Sequence, residues 1–186
     1  MVKERKNIAI LYNQYQFKAA KNLADNLQEK STKYRSLYKK IGFLIDGYNN
    51  WDLFCHQDAL DCFKRAKIDE IMESDDKPIK VFAETAEKQL HFLKEIVKDS
   101  KKPSALLILD IFSNAERRFE EGKIDDAILR LYRLVELMAQ DRLYNKHHIV
   151  VSDVKIEQIP ECLKTEFLRS HRSQRGARDP LKRQPR

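Results

Sequence analysis

Turn-forming residues are scarce in this sequence, and this scarcity limits the folds it can adopt more than any other feature. Only four glycines and five prolines occur among 186 residues. β-Sandwiches, barrels and glycine-looped nucleotide-binding folds need many more of these residues, whereas helices joined by short turns do not. The composition therefore predicts an all-α chain of antiparallel helical hairpins, with 42% hydrophobic residues available for its core.

Apolar residues recur at helical spacing, three and four residues apart, along most of the chain. Pro78 ends a polar break in this pattern, because proline cannot continue a helix. Ser31 or Thr32 is the predicted N-cap of the second helix, and Gly122 is the predicted left-handed residue after a later one. The only β-like run, 148–151, is too short to found a sheet. The periodic stretches are 20–27, 34–48, 59–63, 82–97, 103–121 and 127–138.

Three segments repeat one arrangement, in which an aromatic residue and a polar turn precede a helix that begins with an alanine. A small residue at that point lets two antiparallel helices approach closely. Tetratricopeptide-like hairpins pack in this way, but any helical hairpin needs a small contact residue. Both a tetratricopeptide-like repeat and a set of ordinary helical hairpins therefore stay open. The alanines are Ala20, Ala59 and Ala127, and the aromatic residues are Tyr15, Phe54 and Phe119.

The net charge of +7 is concentrated near the C-terminal end. Residues 169–186 hold seven basic residues against one acid and so account for +6 of that charge. We predict a helical domain over residues 1–165 and a basic, disordered tail over 166–186. The switch from lysine to arginine in this tail fits a native arm and, equally, a foreign or frameshifted end. Non-specific RNA binding is expected from its arginines, Arg169, Arg172, Arg175 and Arg178.

A family resemblance lies in three stretches: NQYQFKAAKNLADNL, GYNNWDLFCHQDALDCF and, most specifically, NAERRFEEGKIDDAILRLYRLVELMAQDRL. They are similar to the helical region of CRISPR-associated proteins of the CARF–HEPN type, over residues 7–160. The resemblance implies an HEPN-like helical fold and a role in antiviral defence alongside a type III CRISPR system. It also implies a partner, either a second copy of the chain or another CRISPR-associated protein.

In that family a CARF domain senses a cyclic oligoadenylate, and the HEPN module of many members cleaves RNA. Nothing in this sequence resembles a CARF domain. The region in which the family's catalytic arginine and histidine are expected reads RSHRSQRGARDPLKRQPR, where Arg169 and His171 are too close together to match. We therefore expect a catalytically incomplete helical fragment of such a protein, which would be a ribonuclease only if intact.

One pair in the sequence does have the Arg–x4–6–His spacing of HEPN ribonucleases, namely Arg142 and His147. In that metal-independent chemistry the histidine acts as general acid and base on the ribose 2′-hydroxyl, and the arginine stabilises charge on the phosphate. Leu143, however, fills a position that is usually polar in the family. Arginine is also common in last helical turns, so an end-of-helix role competes with the catalytic one.

Three functional classes remain open: the CARF–HEPN fragment, a tetratricopeptide-like scaffold for a protein partner, and an RNA-binding protein that uses its tail. Trp51 and Tyr48 could stack a base, although aromatic residues at a helical corner usually belong to the core. No cofactor or metal site is predicted, because the three cysteines and the pair His147–His148 lack the spacing of a ligand set. The charged N-terminus and the lack of a long apolar segment predict a cytoplasmic protein without a membrane span.

Overall fold

The structure, a computed structural model, describes residues 2–98 and 103–177, with residues 2, 3 and 171–177 described by their backbone alone. Within these residues nine α-helices and two 3₁₀ turns occur and no strand does, which confirms the predicted all-α fold. The helices are α1 (Val2–Asn13), α2 (Phe17–Lys30), α3 (Arg35–Asp52), α4 (His56–Ala66), α5 (Ile68–Met72), α6 (Lys77–Lys98), α7 (Ala105–Glu120), α8 (Ile124–His147) and α9 (Glu161–Ala177), and the 3₁₀ turns are Val151–Asp153 and Ile156–Gln158.

The chain divides into two compact units, residues 1–141 and 142–186. In the first unit α3 packs against both α2 and α4, while α6 packs against α4, α5 and α7. Gly47 allows the close approach of α3 to α4, since a Cβ atom there would lie 2.4 Å from the ring of Phe63. Burial of each large apolar side chain in this core contributes about 1.5–3 kcal/mol. The largest fully buried ones are Tyr38, Phe63, Leu44, Ile45, Ile71 and Leu93.

Three helices, α1, α3 and α7, end in the same way, with one left-handed residue followed by a backbone hydrogen bond that reaches five residues back. At the end of α7, Gly122 (φ 75°) is the left-handed residue, and the N–H of Lys123 donates to the carbonyl of Arg118 at 2.9 Å. Tyr15 (φ 58°) and Phe54 (φ 59°) are its counterparts after α1 and α3. A buried alanine follows each left-handed residue by five positions: Ala20, Ala59 and Ala127. The repeated arrangement is therefore real, with Gly122 rather than Phe119 as the third counterpart.

The starts of α3, α6 and α7 differ in how they are capped. α3 begins at Arg35, and Ser31 accepts a hydrogen bond from the Tyr34 N–H at 3.1 Å within the preceding turn. The prediction of Ser31 or Thr32 as its N-cap is therefore wrong. α7 has a serine N-cap, Ser104, whose Oγ accepts from the Leu107 N–H at 3.2 Å. Pro78, predicted to end the polar break, lies in the first turn of α6, where a proline is tolerated.

The second unit contains the end of α8, the two 3₁₀ turns and α9. His148 is left-handed (φ 54°) and its carbonyl accepts a hydrogen bond from Gln158 Nε2 at 3.2 Å, which fixes the second turn. The predicted domain boundary after residue 165 stays a prediction, and α9 crosses it. Residues 178–186 of the predicted tail lie outside the described residues. None of the described helices is long and apolar enough to cross a membrane.

Candidate functional site

The candidate catalytic pair lies at the end of α8, in the second unit. Arg142 and His147 are both exposed, and neither contacts another described side chain through a hydrogen bond or ion pair. Five residues of α-helix separate their directions by about 140° and their positions along the axis by about 7.5 Å. The two side chains therefore leave α8 in different directions, and no described side chain joins them.

The predicted RNA-binding arginines fall largely on α9. Arg169 is exposed on this helix. Arg172 and Arg175 belong to the part of α9 described by its backbone alone, and Arg178 lies outside the described residues. Helical spacing places residues 169 and 172 one turn apart on neighbouring positions of the helix surface. Their role in RNA binding stays a prediction.

A network of buried charged and polar residues lies elsewhere, in the first unit, and centres on α7. The residues spaced four apart on this helix, Asp110, Asn114 and Arg118, are at most 7% exposed. Spacing of four places them on one helix face, so α7 buries a polar stripe beside the apolar residues Ile111 and Ala115. Burial of such groups is costly unless each finds a partner, and the partners come from α3, α4 and α8.

Arg118 forms the principal ion pair of this network with Asp52, the last residue of α3. The side chains of both residues are less than a tenth exposed. Arg118 also donates to Glu121 at 2.9 Å, and its Nε lies 3.2 Å from an oxygen of Asp126, although that N–H does not point at the oxygen. Asn114 donates to both the carboxylate and the backbone carbonyl of Asp52 at 3.1 Å. The C-terminal end of α3 is thus held by two side chains of α7.

Arg130 of α8 closes the network from the other side. It donates to the amide oxygen of Asn114 and forms two hydrogen bonds, at 3.1 and 3.2 Å, with the carboxylate of Asp126. These bonds lower the pKa of Asp126 below its usual range. The guanidinium also lies 4.9 Å from the ring centre of Phe54. This cation–π contact attracts the ring of Phe54, just after α3, to Arg130 of α8.

Asp110 anchors the stripe at the other end of α7. One carboxylate oxygen of Asp110 accepts a hydrogen bond from Trp51 Nε1 at 2.8 Å, and the other lies 2.8 Å from His56 Nε2. Trp51 and Tyr48 are less than a tenth exposed and belong to the aromatic core, which contradicts their role as an open base-stacking platform. The described residues contain no cluster of histidine, cysteine and carboxylate side chains suited to a metal ion.

Sequence reasoning missed this network because its partners are far apart in the chain. Asp52 and Arg118 are 66 residues apart, and Arg130 lies 78 residues from the Asp52 carbonyl it approaches. One signal was available: Asp110, Asn114 and Arg118 recur at a spacing of four, which places them on one face of the helix, next to the apolar Ile111 and Ala115.

The fold is that of an all-α protein, and its buried network joins the earlier helices α3 and α4 to the later helices α7 and α8. Residues 1–93, half of the chain, match the family model of the Csm6 6H domain, and residues 96–179 match that of the Csm6 HEPN domain. The chain therefore belongs to the Csm6 family of CRISPR-associated HEPN proteins. Neither a curated protein nor a solved structure matches it.

The two family matches meet within the last turns of α6, and the buried network joins them. Asp52 and His56 belong to the 6H match, whereas Asn114, Arg118 and Arg130 belong to the HEPN match. Every principal ion pair or hydrogen bond of Asp52 therefore connects one matched segment to the other. Because a buried charge without its partner is costly, this arrangement favours one relative position of α3 and α7.

Proposed function

We propose that this chain serves type III CRISPR antiviral defence as a Csm6-like 6H–HEPN protein that does not itself cleave RNA. The family matches support the defence role, since the family resemblance implies it. Together the matches occupy residues 1–93 and 96–179, which also supports the expectation that residues 1–186 include no CARF domain. The HEPN match continues to residue 179 and so favours a native arm over a foreign end for residues 169–179.

The surroundings of Arg142 and His147 carry the proposal that RNA is not cleaved. General acid–base catalysis needs the histidine within hydrogen-bond reach of the 2′-hydroxyl, while the arginine contacts the phosphate of the same linkage. In this chain the two side chains leave α8 about 140° apart, and Leu143 follows Arg142 at a position that is usually polar in the family. Both are exposed and lack the neighbouring contacts that would hold them for catalysis.

A cleavage assay tests this proposal. Purified chain is incubated with fluorescent single-stranded RNA in EDTA, beside the variants His147→Ala and Arg142→Ala. No cleavage is expected from any of the three proteins. EDTA-resistant cleavage that follows the protein peak on gel filtration and is lost in both variants would make the chain a HEPN ribonuclease. Activity that stays in both variants and separates from the protein peak would be a contaminating nuclease.

The exposed face of α8 supports a second copy of the chain as partner. Tyr132 and Val135 are 78% and 67% exposed, and further apolar residues continue the stripe at helical spacing: Ile128, Leu131 and Met138. A continuous apolar stripe of this kind is typical of an interaction surface. We expect a homodimer in light scattering, which Val135→Asp converts to monomer. Gln140→Asp, on another face of α8, is the matched control. A wild-type monomer would instead favour the scaffold function with a different protein partner.

The arginines of α9 and the following residues support a weak, non-specific affinity for RNA. Counterion release makes the logarithm of such an affinity fall with the logarithm of salt, with a slope of about −0.7 for each phosphate contact. Replacement of Arg169, Arg172, Arg175 and Arg178 by glutamine is expected to reduce this slope by about 3. An unchanged slope would place the RNA contacts elsewhere.

A further inference from the structure

A cleft of about 750 Å³ lies in the first unit, where the C-terminal ends of α1 and α3 meet α6 and α7. Its volume is within the range of small-molecule sites. Tyr12 and Phe92 line it from the segment that matches the 6H domain, and Ser113 and Arg117 line it from the segment that matches the HEPN domain. A molecule bound in this cleft would therefore contact both matched segments.

One wall of the cleft is aromatic. Trp51 stacks against Phe92, with ring centres 6.1 Å apart and planes at 24°, and against Tyr48 at 6.5 Å and 5°. Trp51 and Tyr48 are buried, whereas Tyr12 and Phe92 are half-buried and present ring surface to the cleft. Any nucleobase gains stacking energy on such rings, because every base has a flat aromatic face.

Two cations on facing helices, Arg117 and Lys88, have donors to spare. Arg117 Nε lies 3.7 Å from Asp52 Oδ1 and forms no hydrogen bond with it; that oxygen accepts from Asn114, and Arg118 binds the other oxygen. Lys88 contacts no described carboxylate through an ion pair or hydrogen bond. A guanidinium and an ammonium group with free N–H donors are the usual partners of a phosphate.

The carboxylates of the cleft limit the charge of its ligand. Asp52 and Asp110 are already bound by Arg118 and by Trp51 and His56, so they offer little to a ligand. Glu116 and Glu120 lie at the rim, on α7, and Glu120 accepts a hydrogen bond from the Tyr15 hydroxyl at 3.3 Å. They would accept hydrogen bonds from ribose hydroxyls but would repel a polyphosphate.

We propose that this cleft binds a nucleoside monophosphate, with its base against Tyr12 and Phe92 and its phosphate between Lys88 and Arg117. This unit is presented alike by a free nucleotide and by the 5′ end of an RNA strand, since both offer the same base, ribose and phosphate. The proposal does not depend on Arg142 or His147 and adds a ligand site to the function proposed above.

The test uses the fluorescence of Trp51, the sole tryptophan, and calorimetry on the full chain. AMP, the probe, is expected to bind more tightly than adenosine, inorganic phosphate or ATP. Arg117→Gln and Lys88→Gln are each expected to weaken AMP binding about tenfold, since each removes a charge-assisted hydrogen bond, and to leave adenosine binding unchanged. Arg133→Gln and Lys94→Gln, exposed positions on α8 and α6, are the matched controls.

Far-UV circular dichroism melts establish that the variants fold before they are titrated. A 5′-phosphorylated tetraribonucleotide that binds more tightly than AMP would identify the strand end as the natural ligand, and the reverse order would identify the free nucleotide. The proposal is overturned if millimolar AMP gives neither a fluorescence change nor heat. It is equally overturned if AMP binds both folded variants as tightly as wild type, or if ATP binds more tightly than AMP.

Discussion

The ion pair between Asp52 and Arg118 is the contact whose loss is expected to cost the most stability. Both side chains are less than a tenth exposed. Arg118→Met would leave the buried Asp52 carboxylate with the Asn114 amide as its hydrogen-bond donor and Arg117 at 3.7 Å. Removal of one member of a buried pair costs about 3–5 kcal/mol, and we expect a loss in this range.

Asp52→Asn is expected to be milder, because Arg118 keeps Glu121 at 2.9 Å and Asp126 at 3.2 Å. The variant loses one charge-assisted hydrogen bond, which costs about 1.5–3 kcal/mol. Since both substitutions break the same contact, the double variant is expected to lose less than the sum of the two, by about 1–3 kcal/mol.

Urea unfolding at pH 7, followed by circular dichroism, measures these losses in the two single variants and the double variant. Lys64→Met is the control, because Lys64 and Asp61 form an ion pair at 3.1 Å whose side chains are more than half exposed. Such a pair contributes at most about 1 kcal/mol. If Arg118→Met costs no more than Lys64→Met, or if the two losses at Asp52 and Arg118 are additive, the network does not stabilise the fold as argued.

Three further predictions concern the core and its ionisable groups. Gly47→Ala is expected to destabilise the chain by about 1–3 kcal/mol, because its Cβ would lie 2.4 Å from the Phe63 ring. At Gly42 a Cβ would meet only the ends of two flexible side chains, Lys21 at 3.3 Å and Asp25 at 3.4 Å, so Gly42→Ala is expected to stabilise the chain by up to about 1 kcal/mol. Equal effects of the two substitutions in urea unfolding would contradict this difference. Burial raises the pKa of Tyr12 to about 12. The contribution of Tyr12 to the free energy of unfolding is therefore present below pH 10 and is lost as pH rises towards 12. Tyr12→Phe is expected to lose less stability over that range, and an identical loss in both proteins would argue against this. The pKa of Asp126 is lowered in the folded chain, so the contribution of its carboxylate to stability is present above the usual pKa of 3.8 and is lost as pH falls through the lowered pKa. Asp126→Asn is therefore expected to make the urea midpoint depend less on pH in this acid range.

Local sequence signals were sufficient for most of the helices and for the hairpin contacts. Ala20, Ala59 and Ala127 are all buried, because a small residue five positions after the turn is a local requirement of each hairpin. Gly122 was predictable as a left-handed residue because glycine favours that conformation. Tyr15 and Phe54 were not, since bulky residues rarely adopt it and do so here through the fold around them.

The buried network could be predicted only in part. Spacing alone places Asp110, Asn114 and Arg118 on one face of α7. The pairing of this face with Asp52 depends on the packing of helices 66 residues apart in the chain, to which no local pattern is sensitive. The direction of Arg142 relative to His147 follows from helix geometry once α8 is known to continue to His147.

The central claim is that α3 and α7, which belong to different family matches, form one cooperative unit through Asp52 and Arg118. Native-state hydrogen exchange tests it most directly, by comparing amides 44–51 of α3 with amides 111–118 of α7. We predict equal free energies of opening within about 1 kcal/mol, which fall together in Asp52→Asn. If the amides of α7 open at a free energy more than about 2 kcal/mol below those of α3, the two helices unfold separately and the claim is contradicted.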